Sequence, residues 1–191
     1  MLLKDLVLSV SGPIETRGNL NTPIEDLTMN SRDVSPSGLF FCISGSKVDA
    51  HDFAPQAVQN GCVALVVSHF IDALNVPQIK VSNVRSAMAH ISSAFFGHPA
   101  RTLRLIGVSG TKGKTTTTYL VKSIMEAAGF KVGLIGTTGN MIGDQYIKST
   151  LTTPDSIDLH RTFRMMLDEG VEIVCMEVSA HAIDMHRIDG L

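Results

Sequence analysis

Short apolar runs alternate along the chain with stretches whose apolar residues recur at helical spacing. Residues 38–43, Gly-Leu-Phe-Phe-Cys-Ile, are dense enough in aromatic and aliphatic side chains to predict a short buried strand. Over 51–60, Phe53, Ala54, Ala57 and Val58 share one side of a predicted helix, which Gly61 ends. Residues 62–67, Cys-Val-Ala-Leu-Val-Val, predict a second strand, and Ile79-Lys80-Val81 predicts a third. A further helix over 84–96 is broken by Gly97-His98-Pro99. Alternation of this kind predicts an α/β domain over 1–100.

The pattern then restarts. Strands are predicted at 103–108, 131–135 and 172–177, with helices at 115–128 and 155–169. This is the signature of a parallel, doubly wound sheet, whose site is built by loops at the carboxyl ends of the strands. Only fourteen residues follow Glu177. Parallel sheets are covered on both faces and usually carry more strands. The segment 101–191 is therefore expected to be the first portion of a larger domain, and its sheet is expected to expose apolar edges or recruit a partner chain.

Composition narrows the picture. A length of 191 residues permits one large or two small domains, and 44% hydrophobic residues supply an ample core. The net charge is −2 with both signs scattered, so no basic face predicts nucleic-acid binding. No apolar run approaches the length of a membrane span, so no membrane insertion is expected. The first residues are too short a run, with Asp5 too early, to read as a signal peptide. Cys42, Cys62 and Cys175 lie within apolar runs, which fits buried thiols in a reducing cytoplasm better than disulfides or a zinc site.

Candidate chemistry centres on 110–115, Gly-Thr-Lys-Gly-Lys-Thr, between a predicted strand and a predicted helix. Strand, glycine loop ending in Gly-Lys-Thr, then helix is the form of a nucleoside triphosphate site. Gly110 and Gly113 let the backbone approach phosphate oxygens, and the helix start offers free N–H groups. Thr111, Lys112 and Thr116 complete the phosphate-binding set. Lys114 supplies a point charge for the β- and γ-phosphates, and the Thr115 hydroxyl is a Mg²⁺ ligand. The usual spacing places a glycine where this chain has Val108, and its glycine is one residue earlier, at Gly107. The apolar strand 171–177 ends in Glu177, where nucleotide-binding folds place an acidic metal ligand. Its alternative is a solvated strand-end glutamate. Ser179, His181, His186 and Arg187 follow. They read as a polar loop, as a zinc or Ser-His arrangement that spacing does not support, or as a pair, Ser179 and Arg187, gripping an anionic substrate. Thr152-Thr153-Pro154-Asp155 reads as a helix cap that also suits anion binding, and Gly136-Thr137-Thr138-Gly139 as a turn at the active-site edge.

Taken in order, 110–115, Thr152-Thr153-Pro154, Glu177-Val178-Ser179-Ala180-His181 and His186-Arg187 resemble the Mur ligases, most of all those that add the third residue to UDP-N-acetylmuramoyl-L-alanyl-D-glutamate. Asn30-Ser31-Arg32, residues 38–45 and Asp49-Ala50-His51-Asp52-Phe53 resemble the UDP-binding N-terminal domain of the same family. The resemblance covers nearly the whole chain from about residue 25. It implies an ATP-dependent amide-bond ligase of peptidoglycan synthesis in the cytoplasm, working through an acyl phosphate, with ATP and Mg²⁺ as cofactors. It implies that Ser31 contacts the uridine diphosphate portion and that Lys114 and Thr115 hold ATP and Mg²⁺. Glu177 is then a metal ligand, and Thr152, Thr153, Ser179 and Arg187 bind the UDP-muramoyl dipeptide. The partners implied are that dipeptide and an amino acid, whether lysine, diaminopimelate or another.

Four positions depart from the family pattern: Lys112 stands where Asn is usual, Met185 where Gln is common, Ala180 where Ser is frequent, and Asn30 where Asp is frequent. The family also continues well past 191 residues, so this segment is expected to be inactive alone. Two other readings stay open. One is another ligase of the superfamily, of the folylpolyglutamate or cyanophycin synthetase type, against which the pattern over 31–53 argues. The other is a noncatalytic nucleotide- or UDP-binding module.

Overall fold

A computed structural model of the chain describes residues 1–45, 48–143 and 145–191. It divides into two compact units, Met1–Phe95 and Phe96–Leu191. Among the described residues, no helix is long and apolar enough to cross a membrane.

In the first unit, β1 (Ile14–Arg17), β2 (Asp26–Thr28), β3 (Gly38–Phe41), β4 (Cys62–Val67) and β5 (Gln78–Val81) form one sheet in the order β1-β5-β4-β3-β2. β2 to β5 run parallel, and β1 joins the edge antiparallel to β5. The apolar runs predicted at 38–43 and 62–67 lie in the centre of the sheet, with Leu39, Phe40, Phe41, Leu65, Val66 and Val67 buried. The helix α1 (Leu3–Val7) and the edge strands β1 and β2 were not visible as periodic patterns, because each spans too few residues. The helix predicted over 51–60 is a 3₁₀ turn, Ala50–Phe53, running into α2 (Ala54–Gln59). α3 (Val84–Phe95) starts where the Asn83 side chain accepts from the amides of Arg85 and Ser86, at 3.0 and 3.1 Å. That side chain satisfies two of the amides a helix start leaves open.

In the second unit the sheet order is β6-β10-β7-β8-β9, from β6 (Arg104–Val108), β7 (Val132–Gly136), β8 (Gly139–Ile142), β9 (Gln145–Ile147) and β10 (Ile173–Glu177). The three predicted strands are parallel, β10 lying between β6 and β7. β8 and β9 extend the sheet as an antiparallel meander that the parallel reading did not contain. α4 (Lys114–Ala127) packs through Val121 and Met125 against Val132, Ile173 and Cys175 on one face. α5 (Ser156–Asp168) packs through Leu159, Phe163 and Met166 against Ile135, Val174 and Met176 on the other. This three-layer arrangement carries every predicted site residue of the second unit to one edge. The expectation of an exposed apolar margin holds: β6 is an edge strand with Leu105, Ile106 and Val108 only half-buried, and α4 exposes Leu120 by 59% and Ile124 by 63%.

Candidate functional site

The loop after β6 turns through Gly110 and Gly113 into α4. Gly113 has φ +78° and sits at the N-cap, where no side chain caps the helix. A Cβ is strained in that backbone region, so glycine is the residue the turn demands. The first turn of a fourteen-residue helix is thus left with amides aimed at the loop mouth, which suits phosphate. Gly110, Thr111, Lys112 and Thr116 are exposed there. Lys114 Nζ donates to the Gly110 carbonyl at 2.8 Å, folding the side chain over the loop.

Glu177, the last residue of β10, is 1% exposed. A carboxylate with that little water needs donors, and it has them. The Thr115 hydroxyl donates to Oε1 at 2.9 Å, the Thr137 amide donates to Oε1 at 2.9 Å, and the Thr137 hydroxyl donates to Oε2 at 3.2 Å. A Cβ at Gly136 would collide with Oε1 and come within 3.1 Å of Cδ, so this position needs glycine for space. The solvated strand-end alternative is therefore excluded: Glu177 is a buried, oriented anion facing the mouth of the phosphate loop. Glu177 and Thr115 offer hard oxygen donors of the kind Mg²⁺ takes. Among the described residues, no group of three or more His, Cys, Asp or Glu is placed to hold a metal ion.

The 152–155 segment lies beside this centre. The Thr152 hydroxyl is 3.0 Å from the Thr137 hydroxyl. Thr153 is fully buried, and its hydroxyl donates to the Glu177 carbonyl at 2.8 Å while accepting from the Ser179 amide at 3.2 Å. Its side chain therefore holds the segment against β10, and Thr152 is the half-buried member of the pair. Ser179 caps α6 (Ala180–Asp184), its hydroxyl accepting from the Ala182 amide at 3.1 Å. That leaves the hydroxyl proton available to a ligand. Arg187 is less free than the sequence reading had it. Its Nη1 donates to the Thr153 carbonyl at 2.9 Å, and its Nε lies 2.9 Å from Asp155 Oδ1 as an ion pair without hydrogen-bond alignment.

In the first unit, Ser31 lines a pocket of about 360 Å³. Phe40, Ile43 and Phe53 give it an apolar wall, and Arg32 and Arg85 bring two cations to it. An aromatic base and a diphosphate together need that mixture. Ser31 itself is 9% exposed, with its hydroxyl 3.4 Å from Gln56 Oε1 and its carbonyl accepting from Asn60 Nδ2 at 2.8 Å.

Comparison with known proteins agrees with both halves. A model described as Mur ligase family, catalytic domain, matches residues 23–96, and one described as Mur ligase middle domain matches 108–191. The chain belongs to the Mur ligase family. A UDP-N-acetylmuramoyl-L-alanyl-D-glutamate–2,6-diaminopimelate ligase of Geobacillus thermodenitrificans is 48% identical over 190 residues, covering 100% of this chain and 38% of that protein. The ligase of the same name from Caldanaerobacter subterraneus is 44% identical over 190 residues, covering 99% and 39%. This Mur ligase chain thus spans under two-fifths of the length of the curated relatives it matches. A solved 2,6-diaminopimelate ligase structure of the same name superposes with a TM-score of 0.84 at 23% identity, over 100% of this chain and 38% of that one. A MurF ligase from Thermotoga maritima in complex with ADP superposes with a TM-score of 0.53 at 19% identity, over 81% and 32%.

Of the site, the sequence reading missed Thr137 as a partner of Glu177, Asp155 as the counter-ion of Arg187, and Arg32 and Arg85 as cations at the Ser31 pocket. The Gly-Thr-Thr-Gly turn after a predicted strand was the one available signal for Thr137.

Proposed function

We propose that this chain is the nucleotide- and UDP-substrate-binding part of a cytoplasmic, ATP-dependent amide-bond ligase. In this reading it adds 2,6-diaminopimelate, as third stem-peptide residue, to UDP-N-acetylmuramoyl-L-alanyl-D-glutamate. The observation that carries the proposal is the buried Glu177 carboxylate, held by Thr115 and Thr137 at the mouth of an uncapped glycine loop. The names of the relatives supply the substrate and the amino acid.

In the first step a D-glutamate carboxylate oxygen attacks the γ-phosphorus of ATP, and the bond to the departing ADP breaks, giving an acyl phosphate. In the second, the amine nitrogen attacks the acyl carbon, phosphate leaves with the carbon–oxygen electron pair, and the amine proton passes to solvent. Gly110 to Thr116 cradle the phosphates with backbone amides, and Lys114 neutralises charge on the transferring group. Glu177 and Thr115 would hold Mg²⁺, which would supply charge neutralisation for the phosphates. Thr152, Ser179 and Arg187 orient the dipeptide, and Ser31 with Arg32 and Arg85 anchors its uridine diphosphate end. Positioning of the two reactants accounts for most of the acceleration.

The test is phosphate release by the ligase that contains this chain, measured with UDP-N-acetylmuramoyl dipeptide and 2,6-diaminopimelate against folate or lysine. Release should require the UDP-dipeptide and favour diaminopimelate, and Lys114→Ala should abolish acyl-phosphate formation. Normal phosphate release by that variant would sink the assignment of the loop.

A further inference from the structure

We infer that Thr137 is a positioning residue that couples the metal carboxylate to the substrate side of the site, through a one-way hydrogen-bond chain from Thr152 to Thr137 to Glu177. The naming of the ligands rests on the function proposed above. The chain itself rests on geometry. A carboxylate accepts and does not donate, so the single proton of the Thr137 hydroxyl points to Glu177 Oε2, 3.2 Å away. The Thr152 hydroxyl, 3.0 Å from the same oxygen, must then be the donor to Thr137. Thr152 is left with lone pairs only, so the ligand group it recognises is an N–H or O–H, not a carboxylate or phosphate oxygen.

Two tyrosines hold the turn in this arrangement. The Tyr146 hydroxyl donates to the Thr138 carbonyl at 2.6 Å, and the Tyr119 hydroxyl, from α4, lies 2.9 Å from the Thr138 hydroxyl. A Cβ at Gly139 would meet the Tyr146 ring at 2.5 Å, so the ring lies tight against the turn. A donor arriving at Thr152 polarises the chain and strengthens the Thr137 hold on Oε2, because hydrogen bonds in series reinforce one another. Cation binding at Glu177 and dipeptide binding at Thr152 are thereby linked, and linkage is reciprocal.

The experiment uses the ligase that contains this chain, with Mn²⁺ as a paramagnetic probe in the presence of ADP. Mn²⁺ affinity is read by electron paramagnetic resonance with and without UDP-N-acetylmuramoyl dipeptide. In the unsubstituted protein the dipeptide should tighten Mn²⁺. Thr137→Val keeps the amide and the shape and removes only the hydroxyl. It should weaken Mn²⁺ about tenfold, the worth of a hydrogen bond to a charged group, and lose the tightening. Thr137→Ser should restore both. Should the valine variant not fold, Thr137→Ala makes the same comparison. A folded hydroxyl-less variant with unchanged Mn²⁺ affinity and unchanged tightening overturns the inference. An unsubstituted protein that binds Mn²⁺ and ADP but never the dipeptide overturns the functional reading and, with it, the coupling; the Mn²⁺ comparison then still decides whether Thr137 holds Glu177.

Discussion

At Glu177 a nearly water-free carboxylate is kept in one orientation by three donors and by the lack of a side chain at Gly136. Gly136→Ala forces the carboxylate or the strand to move, an overpacking that costs roughly 1–3 kcal/mol. The expected outcome is a lowered urea midpoint with unchanged slope, together with loss of Mn²⁺ binding; full Mn²⁺ affinity in this variant would show that the crowding is relieved elsewhere. Asp49 offers a pH test of a different kind. The His51 backbone amide, 3.0 Å from Oδ1, holds this carboxyl below the usual carboxylate range, helped by the imidazole and by Ser44. Its folded form binds a proton less readily than its unfolded form. The stability it contributes is therefore full above the unfolded value and is lost as pH falls through the lowered folded value. Asp49→Asn should flatten that part of the acid limb of a stability–pH profile, and an unchanged limb would assign it to other groups. Lys114, Thr115 and Glu177 were legible in the sequence because each ends or begins a periodic segment, where folds of this kind place their chemistry. Thr137 and Asp155 were not, because their partners are fixed only when three strand ends meet.

Elements were legible in proportion to their length and apolar content. The central strands and the long helices α3, α4 and α5 lie within a residue or two of their predicted bounds. The meander β8–β9 escaped because Gly-Asn-Met-Ile and Gln-Tyr-Ile carry too few alternations to outweigh their turn residues. Yet that meander supplies the turn that grips Glu177, so the part least visible in the pattern is part of the site. α3 shows how burial overrides polarity: Ser92 is fully buried and its hydroxyl has no hydrogen-bond partner among the described residues. Removing a buried, unsatisfied polar atom without opening a cavity is neutral or stabilising. Ser92→Ala should leave the thermal midpoint unchanged or raised, whereas Ala89→Leu on the same helix should lower stability by about 1–3 kcal/mol through overpacking. A clear loss with Ser92→Ala would mean that the hydroxyl has a bonded water.

At the scale of the whole chain, two units carry two different kinds of site. The first has an apolar wall with two arginines near Ser31, and the second has a glycine loop with an oriented carboxylate. A ligand that binds only the folded form stabilises the unit it binds, and at about a hundred times its dissociation constant it adds about 2.7 kcal/mol, enough to slow exchange about a hundredfold. Two ligands should therefore leave two separate footprints in amide exchange. ADP with Mg²⁺ should protect 109–116 and the 136–138 turn, because the helix start and the Glu177 partners are there. Uridine diphosphate should protect 29–32 and the segment around Phe53, and leave the glycine loop exchanging at its free rate. Protection of 109–116 by uridine diphosphate alone would mean that the loop does not discriminate a nucleoside triphosphate site from a UDP site. That result would overturn the division of labour between the units, while protection confined to each pocket would place the uridine end and the phosphoryl donor where the residue chemistry assigns them.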